Sequence, residues 1–231
     1  AAVRVLNRAG YAVHVATRAP GDNAPHLCCG RTFLASGLLE LAREKMADLI
    51  VHLAPFAEAG IPVVGLEPSC LLTLRDEALA MNLGEQAIRV AENAVLFEEF
   101  LEQAMASGDL DLLRAQLTDA RQPFLVHAHC HQKAMGADKS IAKVLGMIPN
   151  ADVEMIESSC CGMAGAFGYE VEHITASRQM AEASLLPTIR KRPDSLVIAD
   201  GTSCRHQIQD HDTARAHHVA TVIDRHLSHA P

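Results

Sequence analysis

Cys28-Cys29-Gly30 and Cys160-Cys161-Gly162 repeat one short pattern, a doubled cysteine closed by glycine. Each is followed by a lone Ser-Cys: Ser69-Cys70, with Cys70 40 residues after Gly30, and Ser203-Cys204, with Cys204 42 residues after Gly162. Six of the seven cysteines are used in this way. The seventh, Cys130, stands within His127-Ala128-His129-Cys130-His131-Gln132-Lys133, with 29 residues between it and the second doublet. Thiolates gathered like this bind soft metal, and an iron–sulfur cluster leads the candidates. In the second half Cys130, Cys160, Cys161 and Cys204 supply the four thiolates of an ordinary [4Fe–4S] or [2Fe–2S] cluster, with [4Fe–4S] the leading choice. Cys28, Cys29 and Cys70 form a second candidate site with one ligand unaccounted for. Zinc is the rival metal, because four thiolates also hold Zn(II) tetrahedrally, although the C-x-x-C hairpin common in zinc sites is missing. A thiol buried as a small hydrophobe is a poor account of four cysteines in one register.

The neighbours of these cysteines carry chemistry of their own. Gly162, Gly165 and Gly168 follow the second doublet, and the backbone amides of Gly162 and Gly165 are candidates to face the cluster sulfurs. A tight loop before a helix explains the same glycines equally well. The run lacks the spacing of a dinucleotide-binding fingerprint. His127, His129 and His131 flank Cys130; continued strand alternation places all three opposite it, as a ligand, a proton-coupled neighbour or loop residues. Lys133 and Arg205 are placed to offset a cluster's negative charge, or to lie in solvent.

Composition narrows the setting. The chain has 231 residues, 49% of them hydrophobic, enough for one large domain or two small halves. A net charge of −8 argues against nucleic acid or an anionic membrane as the main partner. No apolar stretch is long enough for a transmembrane span. An odd cysteine count and adjacent pairs fit metal-bound thiolates in a reducing cytoplasm better than a disulfide scaffold.

Elements must bring these residues together. Short β-branched runs lead to the cysteines: Tyr11–Ala16, Ile61–Cys70, Pro123–Ala128, Ala151–Ile156 and Ser195–Cys204. They read as strands, those ahead of Cys70, Cys130 and Cys204 running into the cysteine itself. Helical spacing covers 33–53, 139–145 and 171–185, and a further stripe runs through Ala87, Val90, Ala91, Ala94, Phe97 and Leu101. The fold class expected is α/β: two tandem pseudo-repeats with parallel sheets and helical crossovers, the cysteines at the carboxyl ends of strands, where such sheets bind ligands. The boundaries expected are a first half over 1–80, a helical connector packed on it over 81–122, and a second half over 123–231. The first half lacks a counterpart of Cys130 and the chain lacks an initiator Met, so the first half is read as cut short at its amino end.

The doublets with their spaced Ser-Cys partners resemble the cysteine-rich CCG domain. It occurs in tandem in the heterodisulfide reductase B subunit and in the iron–sulfur subunits of glycolate oxidase, anaerobic glycerol-3-phosphate dehydrogenase and lactate-utilisation systems. His129–Lys133, Ser159–Glu170 and Asp200–Gln207 are most similar to the branch fused behind an FAD-linked oxidase module and ferredoxin-like clusters. The resemblance implies an electron-transfer domain of a flavin-dependent 2-hydroxyacid dehydrogenase or oxidase, with the FAD on a partner module. Such a domain is cytoplasmic, or peripheral to the membrane through its partners. The chain departs from the heterodisulfide reductase pattern. Glu67 and Thr73 flank Cys70 at three residues, and Gly201 and Gln207 flank Cys204, where a C-x-x-C would supply a fifth thiolate. A catalytic reductase of the heterodisulfide type and a zinc-stabilised docking module stand as the alternatives.

Overall fold

The computed structural model describes residues 1–18, 22, 24–211 and 214–228. These fall into two compact units, one of Ala1–Val13 with Phe97–Pro231 and the other of His14–Leu96. Among the described residues no helix is long and apolar enough to cross a membrane. The chain opens with α1 (Ala2–Arg8), which belongs to the first of these units.

The unit 14–96 is built on α2 (Arg31–Ala35) and the long α3 (Leu39–Glu58). Gly37, at φ 75°, ends α2 in the left-handed conformation that glycine adopts freely, so the single helix expected over 33–53 is two. β1 (Val63–Gly65), α4 (Pro68–Arg75), α5 (Glu77–Ala80), α6 (Glu85–Asn93) and β2 (Ala94–Leu96) complete the unit. Met46, Ile50, Leu53, Ala54 and Ala57 form a helical stripe on α3 that packs with Ala87 and Val90 of α6 and with Leu74 and Ala78. β1 and β2 pair in parallel, Val63 opposite Ala94 and Gly65 opposite Leu96. β2 interrupts the helical stripe read through Ala94. Its three residues are all buried, and a short apolar run has no period that separates strand from helix.

The unit of 1–13 and 97–231 continues with α7 (Phe97–Ser107), α8 (Asp111–Arg114), β3 (Phe124–Val126), α9 (Cys130–Ala134), α10 (Lys139–Leu145) and β4 (Val153–Met155). After β4 come α11 (Ile174–Glu182), α12 (Leu185–Arg190), β5 (Leu196–Ile198), α13 (Thr202–His211) and α14 (Val219–Arg225). The strands form a parallel sheet in the order β4-β3-β5, with Phe124 opposite both Val153 and Leu196. Helices α9 and α10 carry the chain from β3 to β4, and α11 and α12 carry it from β4 to β5. Parallel sheets with helical crossovers are the α/β class expected. All three strands therefore release the chain at one edge of the sheet. The core there joins Leu125, Ile156, Leu185, Ile189, Val197 and Ile208 with the side chains of Cys161 and Cys204.

Within the stretch 81–122, α6 packs on α3 in one unit, while α7 packs on α10 in the other. The alternating run Tyr11–Ala16 is irregular, not a strand. It has no ladder partner among the described residues: the Tyr11 ring lies edge-on to Phe100 at 5.0 Å, and Val15 is 60% exposed. Alternation makes a strand only where a neighbouring edge takes up the backbone hydrogen bonds.

Candidate metal centre

The cysteines lie just beyond the strand ends, on turns that become helices. β3 stops at Val126, and His129 caps α9: its ring accepts from the His131 amide at 3.2 Å, while Gln132 Oε1 accepts from the His129 amide at 2.8 Å. This reciprocal cap places Cys130 as the first residue of the helix. The strand does not continue through the histidines, so they share no face. His127 turns inward and is fully buried, His129 is spent on the cap, and His131 lies in the first helical turn. Cys204 is the third residue of α13 and Cys70 the third of α4, where Glu67 caps the helix and accepts from the Ser69 hydroxyl at 2.6 Å.

Each doublet makes the same turn. The Gly162 amide donates to Cys160 Sγ at 3.3 Å, and the Gly30 amide donates to Cys28 Sγ at 3.4 Å. Both glycines have positive φ, 95° and 78°. A Cβ on Gly162 would run into the Ser177 carbonyl oxygen, and one on Gly30 would come within 2.5 Å of the Ala42 carbonyl oxygen. Only glycine fits either position. Gly165, at φ 63°, turns the chain further, and the nearby amides of Gly162 and Ala164 help to lower the Cys160 pKa.

The four second-half thiols act on one another in series: Cys130 and Cys160 shift each other's ionisation, as do Cys160 and Cys161, and Cys161 and Cys204. Cys161 and Cys204 are buried, Cys130 and Cys160 half-buried. Their ionisation alternates. Hydrogen bonds from Cys130 and Cys161 hold the Cys160 thiol well below its usual range, against the effect of burial. A hydrogen bond from Cys161 does the same for Cys204, with help from the His127 imidazole. Cys130 and Cys161, the proton donors, are pushed up by those shared bonds and by burial. The tightest group is a ring nitrogen of His127 with the sulfurs of Cys161 and Cys204, all within 4.8 Å of one another. Soft donors of this kind, with Cys130 and Cys160 on the neighbouring loops, suit an iron–sulfur cluster or zinc.

In the first half Cys29 and Cys70 are hydrogen-bonded. The thiol of Cys29 is lowered to about 7 by that bond, while Cys70 is raised by it, by burial and by the nearby charges of Cys29, Glu67 and Cys28.

Three other side chains brace the second-half site. Lys133 Nζ donates to the Ser158 carbonyl and, at 3.3 Å, to that of Ser159; burial lowers its pKa while the charges of Cys204, Cys130 and Cys160 oppose that shift. Arg205 donates to the carbonyls of Ala199 (3.0 Å) and Asp200, fixing the end of β5. Buried Gln207 donates through Nε2 to the Cys161 carbonyl at 2.8 Å and to the Ser177 carbonyl at 3.0 Å, tying the doublet loop to α11 and α13. In the sequence Gln207 is notable only as the residue that stands where a C-x-x-C would place sulfur.

Comparison with known proteins agrees with this geometry. Residues 124–209 match the model of the cysteine-rich domain called CCG. The chain is 26% identical over 231 residues to a subunit of the anaerobic glycerol-3-phosphate dehydrogenase of Escherichia coli K12, an alignment covering 98% of this chain and 54% of that protein. It is 28% identical over 208 residues to a D-2-hydroxyglutarate dehydrogenase of Pantoea ananatis, covering 90% of this chain and 19% of that protein. The corresponding enzyme of Escherichia coli K12 is 27% identical over 209 residues, with the same coverage. The chain thus spans about half the length of the first relative and about a fifth of the others. The sheet β4-β3-β5 and the loops that carry Cys130, Cys160, Cys161 and Cys204 lie within the segment 124–209, which is similar to the cysteine-rich CCG domain.

Proposed function

We propose that this chain is the iron–sulfur electron-transfer part of a flavin-dependent dehydrogenase that acts on a 2-hydroxyacid or a related alcohol. The observation that carries this reading is the grouping of the Cys161 and Cys204 sulfurs with a His127 ring nitrogen within 4.8 Å, in a segment similar to the CCG domain that also bears Cys130 and Cys160. In this reading the four cysteines are the ligands of one cluster, [4Fe–4S] in type, and the relatives' names supply the dehydrogenase context. When bound, such a cluster supplies a one-electron carrier. Cys161 and Cys204 hold it from the core side and Cys130 and Cys160 from the open side. The amides of Gly162 and Ala164 and the charge of Lys133 stabilise added negative charge at the sulfurs. Substrate oxidation belongs to an FAD-bearing partner module, with ferredoxin-like clusters as further carriers, in the cytoplasm or at its membrane face. The matching turns at Gly30 and Gly162 support two pseudo-repeats, 1–80 and 123–231 about a connector 81–122, with Cys28, Cys29 and Cys70 as a second site.

Anaerobic reconstitution followed by iron, sulfide and zinc analysis tests the proposal. Iron with equimolar sulfide, and a chromophore bleached reversibly by a one-electron reductant, are the expected results. Stoichiometric zinc in a colourless protein that takes up no iron overturns electron transfer in favour of a docking module.

A further inference from the structure

His127 directly follows β3, and its ring is fully enclosed. Nδ1 is hydrogen-bonded to Ser158 Oγ at 2.9 Å, and Ser158 is itself held by Lys133 through its carbonyl and, at 3.4 Å, its hydroxyl. The ring is therefore fixed from one side. On the other side Nε2 is buried without a hydrogen-bond partner of ordinary geometry. The same imidazole groups with Cys161 Sγ and Cys204 Sγ inside 4.8 Å. With no conventional hydrogen-bond partner and two sulfurs close by, this nitrogen is placed to give its lone pair to a metal held by those sulfurs.

We propose that His127 is itself a ligand of the second-half metal centre through Nε2, an imidazole donor beside the Cys161 and Cys204 thiolates that takes the place of one of the other two thiolates. This rests on the reading that those thiols hold a metal. Binding fixes the tautomer with the proton on Nδ1, which then donates to Ser158 Oγ; the neutral ring gives its Nε2 lone pair to the metal and releases no proton. Ser158 is the positioning residue, the outer partner that metal-bound histidines use to hold their orientation. His129 and His131 have no such place: one caps α9 and the other lies in its first turn.

X-ray absorption at the metal edge of the full chain, reconstituted with iron and sulfide or with zinc, decides the matter. The expected first shell contains sulfur at about 2.3 Å and one nitrogen at about 2.0–2.1 Å, with the outer-shell pattern of an imidazole ring, and His127→Gln loses the nitrogen and keeps the sulfur. The wild-type spectrum is decisive even if the variant does not fold. A metal-loaded wild type with an all-sulfur shell overturns the assignment alone, leaving His127 as a donor to the Cys204 sulfur. A chain that retains neither metal overturns the assignment together with the reading beneath it.

Discussion

Glu98 and Asp200 are both buried carboxyl groups beside the ligand loops. Gln132, whose carbonyl caps α9, donates through Nε2 to Glu98 Oε1 at 2.5 Å. Burial, and then the charge of Asp200, raise the Glu98 pKa well above the usual carboxylate range. Burial likewise raises that of Asp200, which accepts from the Val219 amide at 2.8 Å. A raised folded-state pKa contributes stability below the unfolded value and loses it as pH climbs through the folded one. Glu98→Gln keeps the acceptor for Gln132 and removes the titration, so its stability relative to wild type should rise from about pH 4.3 upward in a urea titration series. Equal pH profiles would show that Glu98 ionises freely. Gly162→Ala should cost roughly 3 kcal/mol, because the left-handed backbone and the collision with the Ser177 carbonyl add together. Thermal unfolding measures it; the same change at Gly136, also at positive φ but with open space around it, should cost only about 1 kcal/mol. Lys133→Met removes a half-buried positive charge, so the midpoint potential should fall by tens of millivolts, on the order of 1 kcal/mol.

Strands, turns and helices were legible to different degrees. α10 falls on the 139–145 expected from spacing, and β1, β3, β4 and β5 lie inside the runs read as strands; the fully buried β3 has the continuous apolar signature of a strand covered on both faces. β2 was hidden because three apolar residues extend a helical stripe without breaking its period. Tyr11–Ala16 alternated correctly yet found no edge to pair with. The cysteines were placed one element too early: they follow the strands through capped turns, and His129 acting as cap is a role that histidine rarely announces. That Cys161 and Cys204 come together was legible in the doublet and its spaced Ser-Cys partner. The inward turn of His127 and the brace formed by Gln207 were not, since both depend on where β3 stops and on how α13 lies against the doublet loop. Gln207→Leu leaves two buried carbonyls without their donor and should lower stability by about 2–4 kcal/mol, seen as a fall of several degrees in Tm. An unchanged Tm would mean that the loop holds without the brace.

For the chain as a whole, stability and metal binding are expected to be one property. Cys161 and Cys204 belong to the core side chains of their unit, so a metal bound there ties the doublet loop and α13 together. Loading should raise the unfolding temperature, and a chelator should return it to the metal-free value. The relatives extend well beyond this chain. Mössbauer spectroscopy of the chain reconstituted with iron-57, with Cys28, Cys29 and Cys70 replaced by serine, puts the second-half thiols to the most direct test. The quadrupole doublets of sulfide-bridged, thiolate-bound cluster iron should persist in that variant and vanish when Cys160 and Cys161 are replaced instead; isolated iron lacking sulfide in the first variant would contradict a shared cluster at these four cysteines.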